Sequence, residues 1–413
     1  MYFTEQEIQK FRNETPGCRT RIHFNNAGAS LMTDSVSKSI TDHIHLESDF
    51  GGYEAAIIKA SEIDRFYSSV AKLLNCNPSE IAYTTSATDS FSRALSSIPF
   101  KQGDVILTTK EDYISNQIAF LSLAKRFGIK LIRSESLIEG GVDLNDFEDC
   151  IKKYKPKVVS VSHIPTNSGL IQPVKEIGEI CSKYNTVYLL DACQSVGQMP
   201  IDVQSIKCDF LSVTARKFLR GPRGAGFLFV SEKILAKGYE PLFLDMRGAD
   251  WIQANEYKPR EDAIRFEDWE TAYALLIGTA TAVDYSLSVG LDRIEKQVTY
   301  LSDYIRKGLQ RIDGVSVHDK GAKLGGLTTF HIKGSTPEHI KTELLDRTIN
   351  VSTSIRNNAV LDYDEKGIDW TVRASPHYYN TINEVDLFLD AVAEISKNQI
   401  GKIKTDLPTA KKD

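Results

Sequence analysis

Between about residues 80 and 230, short runs rich in β-branched and aromatic residues alternate with stretches that have the length and period of amphipathic helices. The runs fall at residues 81–84, 104–109, 129–133, 158–163, 187–191, 209–214 and 224–230. This is the pattern of βαβ units, and it commits the chain to an α/β fold. Most of the runs are apolar on both faces, so the sheet is expected to be mostly parallel and covered by helices on both sides. Ligands of such sheets bind at the C-terminal strand ends. Residue 224 follows residue 214 by ten positions, too few for a full helical crossover, so 224–230 is expected to run antiparallel.

With 413 residues the chain has room for two or three domains. A long helical pattern over 265–309 leads away from the sheet. After it, short strands at 315–318, 326–332, 349–354 and 370–374 alternate with helical runs at 337–346 and 383–396, which makes a smaller α+β domain. The expected division is an N-terminal arm (1–20), a large domain (21–264), a linking long helix (265–310), a small C-terminal domain (311–400) and a frayed tail (401–413).

The 50 basic and 55 acidic residues, net −5, leave no basic footprint for nucleic acid. The first residues lack an apolar signal core, and the longest nearly apolar stretch, 272–283, is too short to span a bilayer. The expectation is a cytoplasmic protein with no membrane partner. Six scattered cysteines show no metal-ligand spacing, so no metal is expected and the thiols read as reduced and mostly buried.

Lys217 follows the run 209–214, in Thr214-Ala215-Arg216-Lys217, and precedes Arg220-Gly221-Pro222-Arg223-Gly224. Asp191, in Asp191-Ala192-Cys193-Gln194, ends the preceding run. Both side chains should emerge on one sheet edge, where an amine and an acid can face one ligand. Pyridoxal 5'-phosphate (PLP) needs both: a lysine for its aldehyde and a carboxylate that keeps its ring nitrogen protonated. Its phosphate needs an anion site. Ser86-Ala87-Thr88, between the run 81–84 and a helical stretch, would offer backbone N–H groups and a hydroxyl at a helix N-terminus.

From about residue 22 to 395 the chain resembles the class V, cysteine-desulfurase-like branch of fold-type I PLP enzymes. The likeness rests on Asn25-Asn26-Ala27-Gly28-Ala29-Ser30, Asp191-Ala192-Cys193-Gln194, Thr214-Ala215-Arg216-Lys217 and Val372-Arg373-Ala374-Ser375. It implies the fold-type I PLP transferase fold, with a sheet of the seven-stranded type and a smaller C-terminal domain. It implies that Lys217 is the Schiff-base lysine, Asp191 the partner of the ring nitrogen and Gln194 the donor to the phenolic oxygen. Ser86, Ala87, Thr88, Thr214 and Arg216 match phosphate-binding positions, with Arg216 standing where desulfurases have His. Tyr113 matches the aromatic residue stacked on the ring, and Thr166 or Asn167 matches a contact to the cofactor edge. Arg373 matches the arginine that grips the substrate carboxylate, as its planar fork suits. Asn26, Ala29, Tyr53 and Arg265 are the further substrate-side candidates.

Desulfurases of this family carry a persulfide-forming Cys on a small-domain loop, which here corresponds to residues 352–358, STSIRNN, and no cysteine lies beyond Cys208. A sulfur-relay desulfurase therefore ranks low. Arg220-Gly221-Pro222-Arg223-Gly224, Gly51-Gly52-Tyr53-Glu54 and Arg265-Phe266-Glu267-Asp268-Trp269-Glu270 look more like the hercynylcysteine sulfoxide lyase of ergothioneine biosynthesis and, more distantly, isopenicillin N epimerase. The expected function is thus a PLP-dependent C–S lyase that releases pyruvate and ammonia from a cysteine conjugate or sulfoxide. An epimerase, with Tyr113, His163 or Tyr273 as second acid/base, and an aminotransferase stand as alternatives. The resemblance also implies a homodimer with composite active sites.

Overall fold

The computed structural model describes residues 2–405, with side chains through residue 401. The N-terminal part is helical: α1 (Glu5–Asn13), α2 (Asp34–Phe50), α3 (Gly52–Ile58) and α4 (Ala60–Leu74). A seven-stranded mixed sheet follows, made of β1 (Ile81–Thr84), β2 (Val105–Thr108), β3 (Lys130–Arg133), β4 (Val158–Ser162), β5 (Val187–Asp191), β6 (Phe210–Thr214) and β7 (Gly226–Val230). The helices α5 (Ala87–Ser96), α6 (Ile114–Phe127), α7 (Leu144–Tyr154) and α8 (Val174–Lys183) connect its first five strands. The strand order is β1-β7-β6-β5-β4-β2-β3. The five strands from β6 to β3 are parallel, while β7 runs antiparallel to both of its neighbours.

Alternation along each strand explains why both faces are covered. Val159, Val161, Tyr188, Leu190, Leu211 and Val213 enter one core with residues of α4, α7 and α8. Val158, Leu189, Phe210 and Leu228 enter the other, with residues of α5 and α6. A residue shift in any strand would exchange the two sets.

The helical pattern expected as one helix over 265–310 forms two, α9 (Tyr273–Val289) and α10 (Leu291–Leu309), bent by 81°. Gly290, at φ 91°, supplies the break, a conformation that costs glycine little. α9 packs against α2 and α4, inside the molecule. No single helix among the described residues is long and apolar enough to cross a membrane.

The small domain is a four-stranded antiparallel sheet of β8 (Val315–Val317), β9 (Thr328–Ile332), β10 (Ser352–Ile355) and β11 (Trp370–Ala374), in the order β8-β9-β11-β10. The helices α11 (Pro337–Asp346), α12 (Val360–Lys366) and α13 (Ile382–Thr405) accompany it. α13 continues past residue 400, where a frayed tail was expected; residues 406–413 lie outside the described residues. Ile22 and His23, expected in the large domain, pair instead with Ile349 and Asn350 of the small one.

Candidate active site

β5 and β6 lie side by side, so Asp191 and the turn after Thr214 share one sheet edge. Lys217 sits in that turn, which Arg220 N→Lys217 O and Gly221 N→Ala215 O close, each at 2.8 Å. Lys217 and Asp191 are 7% and 6% exposed. The Lys217 Nζ stands 5.8 Å from the centroid of the Tyr113 ring, which leads into α6. Burial pushes the Lys217 amine below its ordinary pKa; Arg216 and Arg373 push the same way, and Asp191 opposes them.

The anion site forms where α5 begins. Ser86 Oγ accepts from Asp89 N at 3.1 Å, and the N–H groups of Ala87 and Thr88 have no acceptor within the helix. Thr84 and Thr214 flank Gly226 in register, bringing the end of β6 to the same corner. A Cβ at Gly226 would stand 2.5 Å from Val213 O and 2.9 Å from Ser86 C, so glycine is what lets β7 start against this helix end. Arg216 donates to Gly28 O and makes no ion pair with a carboxylate among the described residues. Burial, then Arg223, lowers its pKa.

Arg373 comes from β11 and is 7% exposed. Its Nη1 donates to Thr166 O at 2.8 Å, its Nε has no partner, and no carboxylate pairs with it among the described residues. Burial pushes its pKa down to about 10. A buried guanidinium without a counter-ion is costly, and an incoming carboxylate would relieve that cost. Gln194 Nε2 donates to Thr166 Oγ1 at 2.8 Å and to Ala27 O at 3.1 Å, while its Oε1 is unpaired. Thr166 therefore touches both Gln194 and Arg373. Asn167 instead donates to Asp362 Oδ2 on α12 at 2.6 Å.

Behind Asp191 stands a polar group that the sequence did not single out. Asp191 Oδ1 accepts from Cys193 N at 3.0 Å, and Oδ2 accepts from Asn116 Nδ2 at 3.1 Å. Asn116 also donates to buried Asp112 at 3.0 Å, and Ser162 Oγ donates to the same Asp112 oxygen at 2.7 Å. An Asp next to a helix start reads in sequence as a cap, which gives no hint of this second contact.

Other candidates are engaged elsewhere within this chain. Asn26 Nδ2 donates to His23 O and Ser375 O, at 3.2 and 2.8 Å, and its Oδ1 accepts from Tyr379 OH at 2.5 Å. It thereby ties the loop 25–30 to the end of β11 rather than facing a ligand. Ala29 accepts from His23 Nε2 at 2.9 Å, and Arg216 O accepts from Ser30 N at 2.8 Å, which holds this loop beside the Lys217 turn. Tyr53 is 71% exposed on α3. Arg265 is buried and donates to Leu235 O and Tyr239 O, because the 3-10 turn Ala263–Phe266 buries Phe266 against the sheet. Arg220 donates to Leu31 O, Tyr378 OH and Thr15 Oγ1, at 2.9, 2.6 and 2.6 Å, and so fastens the N-terminal arm. His163, one residue beyond β4, lines a cavity with Gln172, Met199 and Ile206, and burial takes its pKa down to about 4. Tyr273 opens α9 beside His43, at 6.5 Å between ring centroids.

The buried amine of Lys217, the buried carboxylate of Asp191, the Tyr113 ring, the open helix end at Ser86–Thr88 and the unpaired Arg373 fit PLP and an amino acid carrying it.

Residues 22–388 match the model of the aminotransferase class-V family. A probable cysteine desulfurase of Pyrococcus abyssi is 29% identical over 396 residues, covering 94% of this chain and 97% of the relative. The apo structure of a cysteine desulfurase from Thermococcus onnurineus NA1 superposes with a TM-score of 0.87 at 29% identity, covering 94% of this chain and 98% of that one. A C-DES mutant with glycine covalently linked to its PLP cofactor shares the fold, with a TM-score of 0.83 at 22% identity, covering 93% and 99% of the two chains. The fold is the fold-type I PLP transferase fold and the cofactor is PLP. The Pyrococcus and Thermococcus relatives overturn the expectation of a lyase for hercynylcysteine sulfoxide or a similar conjugate: both carry the name cysteine desulfurase, the less favoured reading of the sequence.

Proposed function

The chain belongs to the class-V aminotransferase family, and on that premise we propose that it removes sulfur from cysteine and hands it to an acceptor thiol outside residues 352–358. The observation that carries the reading is Arg373, a buried guanidinium with no carboxylate of its own among the described residues and within electrostatic reach of Lys217. The names of the relatives favour cysteine as the amino acid. The loop 352–358 carries no sulfur, which supports an acceptor elsewhere.

The reaction balances as cysteine plus a thiol giving alanine plus a persulfide. The substrate C–S bond breaks and an S–S bond forms; the substrate Cβ gains two electrons, the acceptor sulfur and the transferred sulfur each give up one, and the acceptor's proton ends on Cβ. PLP, when bound, supplies an aldehyde for the substrate amine and a ring that draws electron density from Cα. Arg373 binds the carboxylate through two parallel N–H donors and so sets which Cα bond faces Lys217. Lys217, whose hold on its own proton is weakened by burial, takes the Cα proton and returns a proton to the product. Asp191 holds the proton of the ring nitrogen, and Ala87, Thr88, Thr214 and Arg216 hold the phosphate. Gln194 and Tyr113 fix the plane of the ring.

The same reading pairs two copies of the chain. Tyr53, Ile57, Phe243 and Trp251 are each more than 70% exposed, large apolar side chains that a partner could cover. An obligate interface would bury about 2,000 Å² or more and survive dilution; an active monomer in sedimentation at assay concentration would remove this part of the proposal.

The deciding experiment supplies L-cysteine with a small thiol and measures alanine and persulfide against pyruvate and ammonia. Alanine with persulfide is expected. Pyruvate and ammonia without alanine would overturn the reading.

A further inference from the structure

An unbroken line of hydrogen bonds runs from the edge of the large sheet to Asp191. Arg133, the last residue of edge strand β3, donates through Nε and Nη2 to Gln117 Oε1 at 3.1 and 2.9 Å. Gln117 Nε2 donates to Asp112 Oδ2 at 2.7 Å. Asp112 Oδ1 accepts from Asn116 Nδ2, and the same amide nitrogen donates to Asp191 Oδ2. We propose that Asp112 is a positioning residue: through Asn116 it fixes the carboxylate of Asp191 and places a second negative charge behind it, which keeps the ring nitrogen of bound PLP protonated. The inference rests on the cofactor and is independent of the choice of substrate.

An asparagine amide has two N–H groups. Here one serves each carboxylate, so the Asn116 amide plane is fixed at both ends and Asp191 cannot rotate without breaking a buried bond. A charge at Asp112 stands behind Asp191 and adds to the negative field that a positively charged group in front of Asp191 meets. A protonated ring nitrogen is that group.

The charged groups facing Asp112 are Arg133 from β3, through Gln117, and Asp191 from β5. Burial, with a smaller push from Asp191, takes the Asp112 carboxyl up to about 6, against the donors Ser162, Gln117 and Asn116. Those three donors and the Arg133 guanidinium favour the charged carboxylate and offset part of the cost of burying it. Asp112 Oδ1 also accepts from the neighbouring Tyr113 N at 2.7 Å, but α6 starts at its N-cap Tyr113 with no side-chain cap, so the bonds to Gln117 and Asn116 are not those of a helix cap.

The test uses Asp112→Asn, which keeps the shape and removes the charge. The protein is reconstituted with PLP labelled with nitrogen-15 in the ring, and the ring-nitrogen signal is followed against pH by NMR. PLP affinity of the apo-protein is measured in parallel. The ring proton is expected to leave about one pH unit lower than in the unaltered protein, a tenfold change, with PLP bound about tenfold more weakly. If Asp112→Asn fails to fold or to bind PLP, Gln117→Leu decides: it keeps Asp112 and cuts the link to Arg133, and should shift the ring proton in the same direction by less. A PLP-loaded variant whose ring nitrogen titrates as before overturns the proposal, whatever its turnover with cysteine.

Discussion

The Lys217 Nζ lies 5.8 Å from the centroid of the Tyr113 ring, in a site where Asp191, Arg216 and Arg373 are the charges acting on it. A desolvated amine between two guanidinium groups and one carboxylate loses its proton more readily than a surface lysine, and in the neutral form it is both nucleophile and base. Replacing it tests the whole site. Lys217→Ala should lower turnover by about 10²–10⁴-fold, the range for a lost general base, and remove the visible absorption band of the bound cofactor. Lys217→Arg should not rescue, because a guanidinium stays charged. A variant that keeps both band and turnover would falsify the assignment of Lys217.

Arg373 should act through the carboxylate it grips. Hydrogen bonds to a charged group contribute about 1.5–3 kcal/mol, so Arg373→Ala should reduce kcat/KM for cysteine by roughly 10- to 150-fold, and Arg373→Lys should recover part of it. Because the guanidinium is buried without a counter-ion, the alanine variant should lose no thermal stability, and a salt-bridge role would show as a lower Tm. Unchanged kinetics would assign Arg373 to structure alone.

Much of this was legible in the sequence because it is periodic or local. The strands from Ile81–Thr84 to Gly226–Val230 read as apolar on both faces because both faces are buried, and the ten positions between Thr214 and Gly224 carried the reversal of β7. Lys217 and Asp191 stood out because each follows an apolar run at the sheet edge. The bend at Gly290 was hidden, since apolar residues continue on both sides and a positive φ leaves no periodic mark. Asp112, Gln117 and Arg133 were hidden for another reason: each alone is an ordinary polar residue of a helix or strand end, and only tertiary packing joins them to Asp191. Tyr53 and Arg265 were drawn in by resemblance; Tyr53 stands exposed on α3, and Arg265 donates to Leu235 O and Tyr239 O.

Glu111 gives a prediction about stability against pH. Its carboxyl is buried, one oxygen has no partner, and burial first, then the charge of Asp362, pushes it up to about 7. The folded pKa lies above the ordinary 4.5, so the native state holds a proton that the unfolded chain has released. Its contribution to stability is therefore present below pH 4.5 and lost as pH rises to 7. Glu111→Gln should flatten the fall in Tm of the apo-protein between pH 4.5 and 7. Asp112, pushed up to about 6, stays in the variant and should leave a smaller fall of the same sign in the lower part of that window. Tm curves that run parallel in the two proteins would show that Glu111 does not titrate there.

The last prediction concerns the thiols. Burial pushes Cys18 and Cys150 up to about 11 and Cys76 up to about 12, and raises Cys181, Cys193 and Cys208 further. A thiol so far above neutral pH has almost no thiolate, and the thiolate is the sulfur nucleophile. Cys193 is nearest the chemistry, since its N–H holds Asp191 Oδ1, but that bond comes from the backbone and survives a change of side chain. Cys193→Ala should therefore keep sulfur transfer to an added thiol within about threefold, because the protein's own sulfur takes no part; mild alkylation of the half-buried thiols Cys18, Cys76 and Cys150 should do the same. Mass spectrometry of the protein after incubation with cysteine should find no persulfide on any of the six cysteines. A persulfide on the protein that disappears when the acceptor thiol is added, with turnover lost in Cys193→Ala, would move the acceptor from solution to the chain itself.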